Sequence, residues 1–528
     1  MKSLLRSHAL RPLRLGIRPF PSSARGRGSP CLWARVLLGT GVVGFLGACQ
    51  SPEPMPELSS TPEPGIFANP MGPAAPPASL RPASTGGAGE PLTLNRVVDL
   101  ALRNNPEVRL AWLQARNQEA RLGEAEADLF PSLRLSGRGR RDDQGSSGGL
   151  QSFRQTSYDL VADLSYTLYE FGGSRRDNIT AADRALDASL FQYNRKMQDI
   201  VLQAQRAYYN LHEKRAEIQA AQQSVEEAQT AADAATQLFE AGTGTIQDTF
   251  RANSRLEQTR FDLERSRSEY EDARADLALL LGMPVSSGIR VTDPNPLRID
   301  PETWASVQDL MAESMRNRAD RLARLATLES DRARAEAALG QQLPRLLFSG
   351  QGEIQWIDGT QQTSWERLDD YTVGLTLQWD AFDGFRKRYQ WLAARNEARQ
   401  AAQQLREDEL RISSEVWKSF YGLRSSRAQL ESARAVEQAS RKTFQASQAS
   451  YRAGTTDLLH LLTAQKDLAE ARSQRIAAEA ALAETVAELL HAIAAPDALQ
   501  SLVPDADRFS GTILFLPRDS GGRVIPGR

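Results

Sequence analysis

The sequence FEAGT at residues 239–243 recurs 212 residues later as YRAGT at residues 451–455. The same offset carries YYNL, at residues 208–211, onto FYGL at residues 420–423. An offset of 213 relates earlier positions, such as Tyr158 and Tyr371, so one residue is missing from the second copy between the two blocks. Such long self-similarity indicates an internal duplication, and two copies of roughly 190 residues make up most of the chain.

Each copy contains a run of residues that predicts one very long helix. Residues 174–241 include no Gly or Pro, and residues 386–453 include only Gly422. At 1.5 Å per residue, each run predicts a rod about 100 Å long. A heptad seam in the first rod predicts coiled-coil packing, and its positions are Leu211, Ile218, Val225, Ala232 and Phe239. The second rod has Glu437 in this register, which predicts a less regular seam.

The helical pattern resumes after Gly242 and Gly454, so each glycine marks a point where the chain reverses. The return helices are predicted to end before Gly282 and Pro496. Each copy therefore contains a helical hairpin with a short Ala-Gly-Thr tip.

Two strand-like segments precede each long helix. Apolar and polar residues alternate in residues 158–169 and 371–380, over about the length of a membrane-spanning β-strand. Polar residues 142–157 and 357–370 predict loops between the paired strands. An amphipathic hairpin that covers a soluble core is the alternative. The face predicted to contact lipid comprises Leu160, Leu164, Tyr166, Val373, Leu375, Leu377 and Trp379.

Four strands are too few to close a barrel with a lumen. An open sheet in lipid would leave unpaired backbone groups that cost several kcal/mol each. The strand number therefore predicts an oligomer, with eight strands from two chains or twelve from three.

The first 48 residues carry eight basic side chains and no acidic one, whereas the rest of the 528-residue chain has a net charge of −10. A basic region, a short apolar stretch and Leu-Gly-Ala before Cys49 predict a secretory signal. A short transmembrane anchor with an incidental cysteine is the alternative. Residues 50–91 contain eleven prolines, which predicts an extended tether.

The acidic balance argues against nucleic-acid binding, which needs clustered Lys and Arg. Two cysteines and four histidines argue against a thiolate metal centre or a disulfide scaffold. The carboxylates are interleaved with arginines, as on salt-bridged helix faces, and no serine elbow, phosphate loop or paired-histidine motif lies among them. We therefore predict that the chain is not an enzyme and uses no cofactor or metal.

The duplicated order of these segments resembles the TolC-type outer-membrane factor family, also called outer-membrane efflux proteins. The opening residues 92–107 and the tip residues 451–459 carry the resemblance, and Cys49 is similar to the lipid-anchored cysteine of its lipoprotein members. The resemblance implies an α+β membrane protein in which a duplicated helix-strand-strand-helix repeat gives a trimeric, twelve-stranded transmembrane β-barrel. A long α-helical coiled-coil tunnel would continue the barrel across the periplasm.

The implied function is the outer-membrane channel of a tripartite efflux or type I secretion system, which conducts substrate passively. The implied partners are two further copies in a homotrimer, a periplasmic adaptor (membrane fusion) protein, an inner-membrane transporter and outer-membrane lipid, without nucleic acid. The predicted domains are a signal peptide (1–48), a tether (49–91), repeat 1 (92–285), a linker (286–302), repeat 2 (303–495) and a disordered tail (496–528).

The resemblance also assigns roles to individual residues. Cys49 would be lipidated. The periplasmic tip that docks the adaptor would comprise Phe239, Ala241, Gly242, Thr243, Tyr451, Ala453, Gly454 and Thr455. The possible gate comprises Asp248, Thr456, His460 and Thr463. Asp248 matches an aspartate that latches the mouth in some relatives, but Thr456 replaces its basic partner, so we expect closure by helix packing and weaker polar contacts.

Other interpretations predict different behaviour. A lipid-anchored periplasmic coiled-coil scaffold without a pore would leave the membrane once its anchor was removed. A periplasmic adaptor would need a lipoyl-like β-domain, which the sequence lacks. Asp248 and His460 could equally be ordinary polar residues on helix faces.

Overall fold

The computed structural model describes residues 91–144, 153–293, 306–359 and 365–494. The predicted signal, Cys49, the tether up to residue 90, much of the linker and the C-terminal tail lie outside these residues. The helices are α1 Leu94–Asn104, α2 Pro106–Ala127, α3 Ser174–Glu240, α4 Ile246–Leu280, α5 Val307–Asn317, α6 Ala319–Gly340, α7 Arg386–Arg452 and α8 Leu458–Ile493. The strands are β1 Ser132–Gln144, β2 Phe153–Glu170, β3 Arg345–Gly359 and β4 Glu366–Gln378.

The two long helices have the predicted extent. Both α3 and α7 contain 67 residues, which corresponds to about 100 Å. Each ends at a glycine in the left-handed region, with φ of 75° at Gly242 and 70° at Gly454. The amide of the next threonine, Thr243 or Thr455, donates a 3.0 Å hydrogen bond to a carbonyl five residues back. The same turn therefore reverses the chain in both copies.

The seam of α7 is more regular than its sequence predicted. Every seventh residue is buried, namely Val416, Leu423, Leu430, Glu437, Phe444 and Tyr451. Glu437 occupies its seam position because Arg441 and Arg475 pair with its carboxylate. Burial opposes the ionisation of Glu437, but these two arginines outweigh it and lower the pKa of the carboxyl group. In α3 the seam ends earlier than predicted, since Phe239 is exposed at the tip.

The four strands form one antiparallel sheet in the order β1-β2-β3-β4. They contain 13 to 18 residues and are longer than predicted. The segments predicted as loops are partly strand, because β2 begins at Phe153 and β4 at Glu366. Backbone pairing continues through these polar residues, and β1 and β4 are the edge strands.

The helices follow one lateral order in each half of the layer. Near the sheet, α3 packs between α2 and α6, and α6 packs on α7. Near the tips, α3 packs between α4 and α8, and α8 packs on α7. Helix α3 is therefore central, whereas α7 lies at one edge and α2 and α4 lie at the other.

A buried network of charges joins α6 to α7 within the second repeat. Arg318, just before α6, is fully buried and donates to Asp320 Oδ2 at 2.7 Å and to Glu415 Oε2 at 2.6 Å. Burial opposes the ionisation of Asp320, but the hydrogen bond and charge of Arg318 outweigh it and lower the pKa of Asp320 to about 2. Leaving any one of these charges unpaired in the interior would strongly destabilise the fold.

His491 and Asp199 connect α8 to α3 beside this network. His491 Nε2 lies 2.8 Å from Asp199 Oδ1, and Arg195 Nε lies 3.0 Å from the same oxygen. Burial lowers the pKa of the His491 imidazole, although the hydrogen bond to Asp199 opposes the shift. The imidazole of the folded chain therefore stays neutral at pH values where the unfolded chain binds a proton.

We expect stability to fall as the pH drops through 6.5, the ordinary pKa of histidine. Protonation then favours the unfolded state, in which His491 is solvated. His491→Gln should flatten the decline of the thermal midpoint between pH 7.5 and 5.5, followed by circular dichroism in detergent. His212, whose pKa is also lowered by burial, contributes with the same sign, so part of the slope remains. The exposed His460→Gln is the control, and equal slopes for the two variants would contradict the assignment.

Candidate functional site

One face of the sheet is apolar across all four strands. In register, Leu164 lies beside Leu133, and Tyr166 lies beside Phe348, which pairs with Leu375. Six of the seven residues predicted to contact lipid share this face, and they are Leu160, Leu164, Tyr166, Val373, Leu375 and Leu377. Four of these six are exposed and two are half-buried. Trp379 lies one residue beyond β4, and its indole N–H donates to the Gln342 carbonyl at 3.1 Å.

The opposite face of the sheet is polar, and its charges are partly compensated. Arg134 lies directly opposite Asp163 and Arg138 opposite Asp159, and opposite charges in cross-strand positions stabilise a sheet. The Gln355 side chain donates to Asp159 Oδ1 at 2.8 Å. No described helix packs extensively on either face. The sheet therefore does not cover a soluble core within the described ranges.

Two further kinds of site were sought in the described ranges. None of the helices there combines the length and the apolar character needed to cross a membrane. Across the same residues, no three or more His, Cys, Asp or Glu side chains are grouped so that they could hold a metal ion.

The predicted docking residues lie at the two helix reversals, but not all are accessible. Seven of the eight are exposed, and these are Phe239, Ala241, Gly242, Thr243, Ala453, Gly454 and Thr455. Tyr451 is buried against Leu458 and Leu461 of α8, so its side chain is not exposed at the tip, and its part in docking stays a prediction. It occupies the last position of the α7 seam, which holds the tip together.

The structure adds apolar tip residues that the sequence reasoning missed. Ile246, Phe250 and Leu459 are exposed in the first turns of the two return helices. They could have been found in the sequence, because each falls outside the register of the buried positions of its own helix, such as Leu256 in α4 and Leu461 in α8. The tip therefore presents an apolar surface around the two glycine turns.

The four predicted gate residues lie near the tip, and three of them have local partners. The Thr245 hydroxyl donates to Asp248 Oδ2 at 2.7 Å, and the Asp248 amide donates back to that hydroxyl. In the second copy, His460 bonds to Asp457 through its amide at 3.0 Å and its ring Nδ1 at 2.6 Å. These bonds lower the pKa of the Asp457 carboxyl group.

The other two gate residues carry hydroxyl groups. Thr463 donates to the Leu459 carbonyl at 2.8 Å, and Thr456 is half-buried. No hydrogen bond within the described ranges links any of the four gate residues to another. Their role in closing a mouth stays a prediction.

The two hairpins pack side by side behind the tips, in the order α7-α8-α3-α4. Ala228 and Ala232 of α3 pack in one core with Leu256 of α4 and Leu461 of α8. Arg472 of α8 forms two hydrogen bonds to Glu227 of α3, at 3.0 and 2.7 Å. These contacts hold the two glycine turns beside each other.

Comparison with known proteins identifies the family to which this architecture belongs. The model of the "Outer membrane efflux protein" family matches residues 97–283 and 310–495. Protein CyaE of Bordetella pertussis is 29% identical over 411 residues, which cover 76% of this chain and 84% of that protein. The probable outer membrane lipoprotein SilC of Salmonella typhimurium is 22% identical over 221 residues, covering 40% of this chain and 46% of SilC.

Solved structures share the fold. The outer-membrane channel OprN superimposes with a TM-score of 0.65 at 24% sequence identity, covering 76% of this chain and 89% of OprN. The two matched segments correspond to the two repeats. The chain thus belongs to the outer membrane efflux protein family, whose members are channels and not enzymes.

Proposed function

We propose that three copies of this chain form a passive export conduit through the outer membrane and across the periplasm. The observation that carries the proposal is a sheet with one exposed apolar face, one polar face and two unpaired edges, which continues into helices of 67 residues. The apolar face would contact lipid and the polar face would line the pore.

The open edges of β1 and β4 support assembly. Each edge presents backbone donors and acceptors that cannot bond to lipid, at a cost of several kcal/mol per unpaired group. Pairing β1 of one copy with β4 of the next would satisfy both edges. Three copies would then supply twelve strands, with room for a lumen.

The remaining parts of the proposal concern partners and anchoring. The exposed apolar tip around Gly242 and Gly454 would dock a periplasmic adaptor, and an inner-membrane transporter would supply the energy. Cys49 would carry more than one acyl chain, because a single chain binds a membrane only marginally, and this anchor would add to the attachment given by the barrel. The name of the relative SilC, an outer membrane lipoprotein, favours this anchor.

Charge placed on the two faces of β4 should have different effects. Leu375→Lys sets a charge on the apolar face, at a cost of about 2–4 kcal/mol near the middle of a bilayer. Thr376→Lys places the same charge one residue away, on the polar face. We expect Leu375→Lys to abolish ion conductance in planar bilayers and Thr376→Lys to retain it. Conductance lost equally in both variants, or kept equally, would contradict the assigned faces.

Removal of the lipid anchor separates a channel from a lipid-anchored scaffold. With an ordinary secretory signal in place of residues 1–48 and Cys49→Ser, we expect the protein to remain in the outer membrane until detergent is added. The barrel alone would retain it there. Release of the variant into the soluble periplasmic fraction, measured by fractionation, would favour the scaffold.

A further inference from the structure

Helix α3 has neighbours on two sides, whereas its repeat counterpart α7 has an open side. Tyr209 of α3 is 8% exposed, but Tyr421, 212 residues later, is 42% exposed. Ser224 is 9% exposed and its counterpart Val436 is 47% exposed. On one of these sides α3 packs against α6 and α8, which belong to the second repeat. The corresponding side of α7 therefore lacks the neighbours that α3 has.

The missing neighbours can be identified from the duplication. Helices α6 and α8 of the second repeat correspond to α2 and α4 of the first repeat. These two helices lie at the opposite edge of the layer from α7, and their outer sides are also open. A second copy of the chain would bring its α2 and α4 to the open side of α7.

Specific charges support this pairing. Within the chain, Arg206 of α3 pairs with Glu484 Oε1 at 2.8 Å and with Glu488, both on α8. The counterpart of Arg206 is Lys418 on α7. The counterparts of Glu484 and Glu488 are Asp272 and Asp276 on α4, within the sequence EDARAD at residues 271–276.

The sign of the charge is thus the same at all three pairs of equivalent positions. Lys418, however, has no contact with Asp272 or Asp276 within the chain. Lys418, Asp272 and Asp276 are exposed. Over the part of the chain that the structure describes, none of the three forms an ion pair or a side-chain hydrogen bond. One edge of the protomer therefore carries an unpaired cation where the other edge carries two unpaired anions.

We infer that Lys418 of one copy pairs with Asp272 and Asp276 of the next copy, repeating between chains the contact of Arg206 within one chain. The inference rests on the proposed function, in which several copies close a ring. Such an interface joins two different surfaces head to tail, which generates rings. The contact between α7 of one copy and α4 of the next would then repeat the contact between α3 and α8 within one copy.

A second polar contact within the chain also has equivalent residues at the two open edges. The Gln465 side chain of α8 donates to the Ser224 carbonyl of α3 at 3.3 Å. Its counterpart on α4 is Asn253, another amide, which is exposed and would meet the carbonyl of Val436 on the next copy. An amide donor is therefore available at the equivalent position of the open edge.

Where a counterpart pair is not kept, the remaining charge is satisfied within its own chain. Arg472 pairs with Glu227 across α8 and α3, but Ala439 replaces the glutamate in the second repeat. The counterpart of Arg472 is Arg260, which bonds to Glu257 at 2.7 Å and to Gln229 at 3.1 Å. Arg260, whose counterpart pair is not kept, thus has partners within its own chain, unlike Lys418, Asp272 and Asp276.

The overall charges of the two edges are complementary as well. Helix α7 contains 14 Lys and Arg residues against 7 Asp and Glu residues, whereas α4 contains 6 against 8. A basic helix therefore lies at one edge and an acidic one at the other. Complementary edges favour association between unlike surfaces over association of α7 with α7.

Chemical cross-linking between engineered cysteines tests the inference on the full chain. The natural cysteines are Cys31 and Cys49, and both lie outside the described residues. We expect Lys418→Cys combined with Asp276→Cys to give covalent dimers and trimers when outer membranes are treated with a short bismaleimide. Either single variant should give none. The matched control, Arg206→Cys with Glu488→Cys, should react within one chain and keep the mass of a monomer.

Light scattering of the same extracted particle separates failure of the inference from failure of the proposed function. A three-chain particle in which the control pair reacts and the Lys418 pair gives no covalent oligomer would overturn the inference alone. A particle that contains one chain would overturn the proposed function too.

Charge reversal provides an independent test without cysteines. Lys418→Glu should reduce the fraction of trimer that survives mild heating in detergent, because it places like charges across the interface. Adding Asp272→Lys and Asp276→Lys in the same chain should restore that fraction. Lys442→Glu, on α7 but with Thr230 as its counterpart, is the control for a change of charge. Failure of the triple variant to recover, with the control unaffected, would contradict the pairing.

Discussion

Backbone pairing at the edges of the sheet is the constraint on which the rest of the proposed assembly depends. The apolar face suits lipid, but β1 and β4 each present a row of unpaired backbone groups. Lipid offers these groups no partner, so an isolated protomer would be unstable in a membrane. In the proposed assembly further copies complete the sheet, and the helices below it would close into a ring with the same symmetry.

The duplicated repeats share a fold without sharing every contact. The two repeats use equivalent positions for different chemistry, as where α2 and α6 begin. Asn105 caps α2 and donates to the Leu280 carbonyl at the end of α4, at 3.0 Å. Its counterpart Arg318 donates to the Ala492 carbonyl at the end of α8, and also to two carboxylates. The second repeat thus tolerates buried charges because they are compensated by partners on α6 and α7.

The long elements could be predicted from the sequence because their signals are local. A run without Pro, and without Gly except for Gly422, predicted the extent of α3 and α7, and Gly242 and Gly454 marked the reversals, where both have positive φ. Features that depend on neighbouring helices could not be predicted. Glu437 looked like a break in a seam, but it is buried because Arg475 of α8 reaches it. Tyr451 looked like a tip residue, yet α8 covers it. Arg475 lies 38 residues from Glu437 in the sequence, and Tyr451 is covered only because the tip turn folds α8 back against α7.

Counting the chains in the intact particle tests the central claim most directly. The claim is that an open four-stranded sheet is completed by two further copies. Native mass spectrometry of the lipidated protein, released from detergent, measures this number without any substitution. The account predicts a particle of three chains and no stable smaller species. A particle of one or two chains would contradict it.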